Sequence, residues 1–280
     1  MATSGTRIRG IDDNKMTAIL DEIVEHLNSI AGVEPIWKRG IFHTGGPHYR
    51  IKGMVGPASI GEDECVVFGR LIEEFKPAHC FIIGNAFGLS STFIAKMMEQ
   101  HGGQSVITLD SKSGGDGERC FSAAESLRLA LNCRLLTNKV GWSPQDNLAA
   151  AGPGPYDLIF IDGNHSHPQV TRDFEGVQQL THDQTMIVWH DAIIRGVRKS
   201  IEAAQAAGYH CLKINTSAEM VVGTRSQAVF ERLRPLYANA EQFQMRRPPT
   251  EYLKIAYVTL IIGLAILRYK LRRARVGSRS

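Results

Sequence analysis

The fold is decided by the stretch Cys80-Phe-Ile-Ile-Gly84-Asn-Ala-Phe-Gly88-Leu-Ser-Ser91. An apolar run comes first, two glycines interrupt it, and a helical pattern of apolar residues begins after Ser90. This order predicts a strand, a tight turn and a helix. Glycine lets the backbone pass close to a ligand, and a helix N-terminus offers N–H groups to a carboxylate or a phosphate. We therefore expect a loop that cradles a cofactor.

The spacing of the two glycines narrows the choice of cofactor. Gly84 and Gly88 form a Gly-x-x-x-Gly pattern, which differs from the Gly-x-Gly-x-x-Gly pattern of dinucleotide-binding turns. A pyrophosphate is therefore the less expected ligand. The motif is weak by itself, because many strands that end in glycine only turn a corner.

Composition indicates one substantial core with extensions, since the chain has 280 residues and is 43% hydrophobic. The formal net charge is +4, but six basic residues lie near the C-terminus, namely Arg268, Lys270, Arg272, Arg273, Arg275 and Arg279. The rest of the chain then carries −2, which argues against a nucleic-acid partner. Five cysteines without a CxxC pair, and an N-terminus without an apolar signal segment, predict reduced thiols and a cytoplasmic protein.

The patterning divides the chain into four segments. We expect an amphipathic helix over 15–30, a Gly/Pro/His-rich loop over 36–59, and a helix over 61–75 that leads into the glycine stretch. The loop is a candidate lid or oligomer contact, or only a connector. The four segments are 1–60 (helix and loop), 61–225 (main domain), 226–250 (helix and linker) and 251–280 (apolar helix with a basic tail).

Short apolar runs alternate with helical patterns throughout the main domain. The strands predicted after the glycine stretch are Ser105–Asp110, Cys133–Thr137, Tyr156–Ile161, Thr185–Asp191, and a closing pair at Tyr209–Ile214 and Glu219–Val222. This alternation predicts an α/β fold with a doubly wound, mostly parallel, seven-stranded sheet of the Rossmann-like kind.

Glycines and polar residues follow the ends of these strands. They are the segments Gly84 to Gly88, Asp110, Gly141 to Ser143, Asp162 to His167, and His190 with Asp191. Ligands of such sheets bind outside the carboxyl ends of the strands. We therefore expect these residues to meet in one site.

The order of the motifs resembles that of the class I S-adenosylmethionine-dependent methyltransferases over about residues 61–222. By this resemblance Asp110 holds the ribose hydroxyls and Trp142 lies beside the adenine. One departure is Ile82, which stands two positions before the first glycine, where the family often has an acidic residue. The residues implied to bind S-adenosylmethionine are Gly84, Asn85, Ala86, Phe87, Gly88, Ser90, Asp110, Gly141, Trp142, Ser143 and Asp162.

The later motifs are more specific. The segments around Asp162 and Asp191 resemble the metal-dependent small-molecule O-methyltransferases that tailor cephalosporins and macrolide sugars. The resemblance implies that Asp162, His190 and Asp191 bind a divalent metal, and that Asp162 and His165 are catalytic, with His165 as the base. His190 stands where that branch commonly has glutamate, and imidazole is a poor ligand for Mg²⁺. Mg²⁺, a softer metal and no metal all stay open.

Each candidate also has a purely structural interpretation. Asp162 and Asp191 could cap the helices that follow their strands, and Asp110 could be a turn residue. His190 could be a satisfied histidine at a strand end. His167, which precedes Pro168, is better explained as an ordinary loop residue.

The C-terminal segment over 252–267 is apolar apart from Lys254 and Thr259. Its sixteen residues would extend about 24 Å as a helix, which is short of the roughly 30 Å hydrocarbon core of a bilayer. We expect either association of residues 252–275 with a membrane surface, through the basic tail, or packing on protein. A membrane span with snorkelling flanks stays open as a third alternative.

The sequence thus predicts a methyltransferase that uses S-adenosyl-L-methionine and acts on an oxygen of a small molecule or glycan. Whether Mg²⁺ or another divalent metal is an additional cofactor stays open. Homo-oligomerisation is an open expectation. Two other functions stay open, namely a nicotinamide-dependent oxidoreductase and a non-catalytic binding module of the same fold. The missing Gly-x-Gly-x-x-Gly pattern counts against the oxidoreductase.

Overall fold

The computed structural model describes residues 13–36, 48–52, 59–111, 117–141, 151–152 and 154–244. Its helices are α1 (Asp13–Ala31), α2 (Glu62–Phe75), α3 (Leu89–Gln100), α4 (Gly117–Ala130), α5 (His167–Val177), α6 (Arg195–Ala206) and α7 (Gln227–Leu233). Its strands are β1 (Val33–Ile36), β2 (His48–Ile51), β3 (His79–Ile83), β4 (Ser105–Asp110), β5 (Leu136–Val140), β6 (Tyr156–Ile161), β7 (Thr181–Trp189), β8 (His210–Ile214), β9 (Met220–Thr224) and β10 (Ala240–Gln242).

Eight of the described strands form one sheet in the order β10-β8-β9-β7-β6-β3-β4-β5. The five strands from β7 to β5 pair in parallel, whereas β9 runs antiparallel to both β7 and β8. The predicted doubly wound, mostly parallel sheet is confirmed, with β10 as an additional edge strand that pairs with β8. The strand β10 has only three residues, two of them polar, so the sequence pattern did not predict it.

Alternating residues of the central strands divide the core between the two faces of the sheet. Ile82 and Phe160 face one side, where the Phe160 ring packs edge-on against Phe68 of α2 at 4.7 Å between centroids. On the other side Trp189 packs against Phe174 of α5 at 5.7 Å. Both faces of a parallel sheet are covered by helices, so its strands are almost continuously apolar.

The N-terminal helix packs on this domain. Ile23 and Leu27 of α1 are fully buried, and α1 contacts α3 and α4. The segment over 36–59 was predicted to be a loop, and this was wrong for residues 48–51. They form β2, which pairs antiparallel with β1, and their polar composition hid a strand of only four residues.

The third strand of the main domain was predicted at Cys133–Thr137 and lies at Leu136–Val140 instead. Asn132 adopts a left-handed conformation, with φ of 48°, and the Cys133 N–H donates to the Arg128 carbonyl of the preceding helix. The apolar residues near 133 therefore belong to the helix-ending turn. The five cysteines are buried, lie within the described ranges, and form no disulfide.

No helix within the described residues is long and apolar enough to cross a membrane. The apolar segment over 252–267, on which the membrane prediction rests, lies outside those residues.

Candidate active site

The carboxyl ends of β3, β4, β6 and β7 open into a cavity of about 370 Å³. Ten of the predicted site residues line it, namely Gly84, Asn85, Ala86, Ser90, Asp110, Gly141, Asp162, His165, His190 and Asp191. The structure therefore brings the strand-end motifs together in one site, as expected from the topology of a parallel sheet.

The glycine loop needs both of its glycines. Gly84 has a φ of +89°, and a Cβ there would lie 2.2 Å from the carbonyl oxygen of Asp162. Gly88 has a φ of +88° and begins α3, and a Cβ there would lie 2.8 Å from that of Ala124. Only glycine allows these two close approaches in a left-handed conformation. The loop backbone is thereby pressed against the end of β6.

Asp110 holds this loop in place. Its Oδ2 accepts hydrogen bonds from the backbone N–H groups of Asn85 at 2.8 Å and of Ala86 at 3.0 Å. Ala86 itself adopts a left-handed conformation, with φ of 42°. The carboxylate predicted to hold the ribose thus lines the cavity and also fixes the turn above it.

A second network supports the side chain of Asn85. Its Nδ2 donates to Oδ1 of Asn138 at 2.9 Å, and the Ser91 hydroxyl donates to its Oδ1 at 2.5 Å. Asn138 in turn donates to Glu125 at 2.6 Å. This chain of hydrogen bonds links the glycine loop to β5 and α4.

The remaining predicted cofactor residues lie elsewhere. Phe87 is fully buried in the core, and Gly88 lies against α4 rather than against the cavity. Trp142 and Ser143 lie outside the described residues.

The opposite end of the cavity is a cluster of charged side chains that follows β6 and β7. One ligand atom from each of Asp162, His165, His190 and Asp191 lies within 4.8 Å of those of the others. His165 Nε2 is 3.4 Å from Asp162 Oδ1 and 3.6 Å from Asp191 Oδ2. The cluster therefore converges on one point of the cavity wall.

His190 is the most buried member of the cluster, at 5% exposure. Its Nε2 lies 3.0 Å from Oε2 of Glu64, a fully buried carboxylate in the first turn of α2. Its Nδ1 lies 2.9 Å from Asp162 Oδ1 and 3.5 Å from Asp191 Oδ2, yet has no hydrogen-bond partner among the described residues. A buried polar atom is thus aimed at two carboxylates without alignment for a hydrogen bond.

The electrostatics of the cluster follow from these distances. Burial alone would lower the pKa of His190, but the carboxylates of Asp162, Glu64 and Asp191 raise it well above its ordinary value. Burial would raise the pKa of Asp162, but His190 and His165 lower it. The pKa of His165 is raised, because hydrogen bonding to Asp162 outweighs burial. The cluster therefore holds anionic carboxylates around its two imidazoles.

The donor set fits a divalent metal of intermediate softness. Ligands about 2.1 Å from one ion stand roughly 3.0–3.4 Å apart in tetrahedral or octahedral geometry, which is close to the spacings in the cluster. The two carboxylates together with the His190 imidazole suit such ions better than Mg²⁺. Asp191 also adopts a strained left-handed conformation, with φ of 54°, and such strain is concentrated at functional sites.

The helix-cap interpretation of the two aspartates is not what the structure shows. Ser166 and Ile194 occupy the N-cap positions of α5 and α6, rather than Asp162 and Asp191. Both carboxylates face the cavity instead.

Sequence reasoning missed three polar residues around the site. Glu64 contacts His190. Its position three residues after Gly61, before an apolar run, fits half of a capping box, in which the N3 glutamate accepts from the N-cap N–H, and this signal could have indicated it. Asp173 and Gln169 line the cavity, and Gln169 Nε2 donates to Asp173 Oδ1 at 2.8 Å. They lie in a helix whose pattern shows only amphipathicity.

Comparisons with known proteins agree with this geometry. Residues 81–192 match a family model described as a methyltransferase domain. No curated protein sequence matches the chain. The predicted resemblance to the class I S-adenosylmethionine-dependent methyltransferases is confirmed over this segment.

Solved structures share the fold at low sequence identity. An O-methyltransferase from Bacillus cereus, in complex with SAH, matches with a TM-score of 0.54 and 16% identity over 78% of this chain and 93% of its own. The SAH-bound methyltransferase PaMTH1 from Podospora anserina matches with a TM-score of 0.51 and 13% identity, over 80% of this chain and 100% of its own. The O-methyltransferase TomG from Streptomyces achromogenes, in complex with SAM, matches with a TM-score of 0.50 and 16% identity, over 60% of this chain and 82% of its own. The α/β methyltransferase fold is therefore shown.

Proposed function

We propose that this protein transfers a methyl group from S-adenosylmethionine to a hydroxyl oxygen of a small molecule or sugar, with a divalent metal held by Asp162, His190 and Asp191. The observation that carries the proposal is that the glycine loop and the charged cluster face one cavity. A cofactor loop thus lies beside side chains that can hold an acceptor and remove its proton.

The cofactor end uses mainly backbone. The turn over Gly84 to Gly88, fixed by Asp110, leads into the N-terminus of α3, whose N–H groups favour an anionic group such as a carboxylate. We assign the methionine part of S-adenosylmethionine to this turn. We assign the ribose hydroxyls to Asp110 and the adenine to the segment that begins at Gly141.

Methyl transfer to a hydroxyl requires two contributions from the protein. S-adenosylmethionine supplies a methyl group on a sulfonium, and the acceptor oxygen forms its bond to carbon as the carbon–sulfur bond breaks. Alignment of the reacting atoms and removal of the hydroxyl proton are left to the protein. We assign the removal of that proton to the imidazole of His165, whose side chain is 29% exposed. Asp162 and Asp191, which face its Nε2, stabilise the resulting imidazolium.

The metal ligands of the proposal are Asp162 and His190, with Asp191 completing the set. When bound, a divalent ion would orient the acceptor hydroxyl and lower its pKa. His190 favours Mn²⁺, Fe²⁺ or Zn²⁺ over Mg²⁺, because imidazole nitrogen suits these ions better than it suits Mg²⁺.

Calorimetric titration of the full chain with S-adenosylmethionine and S-adenosylhomocysteine tests the proposal. We expect micromolar binding of both compounds, weakened in Asp110→Ala. Titrations with Zn²⁺, Mn²⁺ and Mg²⁺ should then show binding of the first two ions that is lost in Asp162→Asn. A folded chain that binds neither adenosyl compound would refute the methyltransferase proposal.

A second candidate is a non-catalytic module of the same fold. It is favoured by His190, whose contacts with Glu64, Asp162 and Asp191 could form a self-sufficient ionic network without a metal. Such a module would bind S-adenosylmethionine but would transfer no methyl group to any hydroxyl acceptor in a screen. A nicotinamide cofactor that raised the melting temperature, where S-adenosylmethionine did not, would instead favour an oxidoreductase.

A further inference from the structure

Glu64 lies next to the charged cluster without belonging to it. It is the third residue of α2 and is fully buried. Its Oε2 accepts from the Gly61 N–H at 2.8 Å and lies 3.0 Å from His190 Nε2. Its Oε1 accepts from the Thr216 hydroxyl and the Ala218 N–H, each at 3.1 Å.

These contacts fix the carboxylate from two separate elements. A buried carboxylate is costly unless donors surround it, and here the donors come from the start of α2 and from the turn between β8 and β9. The group therefore cannot swing away from His190 without losing several hydrogen bonds. Glu64 is a rigid acceptor rather than a mobile surface charge.

The rigid acceptor beside Nε2 determines the tautomer of the His190 ring and therefore the protonation of Nδ1. An ionised carboxylate only accepts hydrogen bonds, so His190 Nε2 carries the hydrogen in this contact. Nδ1 is then the atom that faces Asp162 and Asp191, and no described residue forms a hydrogen bond with it. A histidine that donates one N–H to a carboxylate and directs its other nitrogen at a metal is a common arrangement in metalloproteins.

We propose that Glu64 is a positioning residue that orients His190 so that Nδ1 serves as the metal ligand. The inference rests on the proposed function, since it assumes that the cluster binds a divalent ion. It assigns a role to α2, an element that precedes the segment matched by the methyltransferase family model.

The direct test is the affinity of the full chain for Zn²⁺, measured by competition with a chromogenic chelator. Glu64→Gln keeps the size of the side chain, but its amide can donate to His190 Nε2 and so favour the tautomer with hydrogen on Nδ1. We expect zinc to bind about 10–100-fold more weakly to this variant, as for other partners of metal-bound histidines. Affinity for S-adenosylmethionine should change little.

Asp63 provides a matched control on the same turn of α2. Its carboxylate accepts from the Ser217 N–H at 2.6 Å and from the Ser217 hydroxyl at 3.0 Å, whereas the carboxylate that contacts His190 is that of Glu64. Asp63→Asn loosens the same junction between α2 and the turn before β9. If Glu64 only stabilised that junction, both variants would weaken zinc binding alike. We expect Asp63→Asn to keep its zinc affinity within about threefold.

A measurement on the unmodified chain keeps the test independent of variant folding. Nitrogen-15 spectra of the histidine rings, recorded with and without Zn²⁺, identify the ring nitrogen of His190 that binds the ion. We expect Nδ1 to shift on zinc binding and Nε2 to keep its hydrogen. Coordination through Nε2, or equal zinc affinity in the chain and in Glu64→Gln, would overturn the inference.

The failures of the two proposals differ. A chain that binds S-adenosylmethionine but no divalent ion loses the metal and with it the role of Glu64, while methyl transfer stands. A chain that binds zinc through His190 Nδ1 but no S-adenosylmethionine loses the methyltransferase proposal, while the role of Glu64 stands.

Discussion

At the Gly84 end of the cavity the protein presents backbone, whereas at the Asp162 end it presents side chains. The first end is a turn whose N–H groups are held by Asp110. The second is a set of carboxylates and imidazoles in which His190 is held by Glu64. In both cases a carboxylate from another element fixes the groups that face the cavity. Each end therefore depends on an acceptor outside its own motif, and the two ends can be perturbed separately.

The largest effect is expected where the two ends touch, at Gly84. An alanine Cβ would lie 2.2 Å from the Asp162 carbonyl oxygen in a left-handed conformation. Clash and strain together should lower the free energy of unfolding by about 3 kcal/mol. Gly102→Ala is the control, because Gly102 has a similar φ of +85° and open space around its Cβ position. Gly102→Ala should lower the free energy of unfolding, measured by denaturant titration, by only about 1 kcal/mol. Equal losses of stability in both variants would contradict the close approach of Gly84 to the Asp162 carbonyl oxygen.

The next largest effect tests the side-chain end alone. Asp162→Asn keeps the shape of the side chain and the backbone contact with Gly84 but removes a negative charge from the proposed metal site. We expect zinc affinity to fall by about 100-fold or more, since loss of a ligand should exceed loss of a supporting residue. Affinity for S-adenosylmethionine, measured by calorimetry on the same sample, should change by less than about tenfold. A larger loss there would show that the two ends are not separable.

A smaller effect is expected at the backbone end. Asp110→Ala removes the acceptor of two N–H groups and the group assigned to the ribose. Loss of such charge-assisted hydrogen bonds should weaken S-adenosylmethionine binding by about 10–100-fold. Zinc affinity in the same variant should stay within about threefold. A parallel loss of zinc affinity would show that the two ends of the cavity are coupled.

The smallest effect is expected at Asn138, which supports the loop from a distance. Asn138→Ala removes the acceptor for Asn85 Nδ2 but leaves the contacts of Asp110 intact. We expect S-adenosylmethionine binding to weaken about two- to tenfold in calorimetry. A loss as large as that of Asp110→Ala would assign the main support of the loop to the network through Asn138.

The sequence was informative wherever a pattern is local. Glycine spacing, apolar runs and the polar residues after them predicted the sheet, its direction and the residues that line the cavity. Each of these signals lies within a few residues of the feature that it predicts, because parallel strands end on one rim.

The sequence was uninformative where two residues in contact lie far apart along the chain, or where polar residues interrupt the apolar pattern of a strand. Glu64 and His190 are separated by 126 positions along the chain, so no local pattern links them. The edge strand β5 has polar residues at Thr137, Asn138 and Lys139, and only one of its faces packs on the core. Its true limits were therefore masked by the more apolar turn before it.

The reversed direction of β9 has a consequence for modularity. Because β9 begins at the rim where β7 and β8 end, the turn before it brings Thr216 and Ala218 to the first turn of α2. The segment over 81–192 that matches the family model contains His190 but none of these three supports, since Glu64 precedes it and the turn follows it. Transplanting that segment into another scaffold would carry the residues that line the cavity without the residues that hold His190 in place. A portable unit would have to extend at least from 59 to 224.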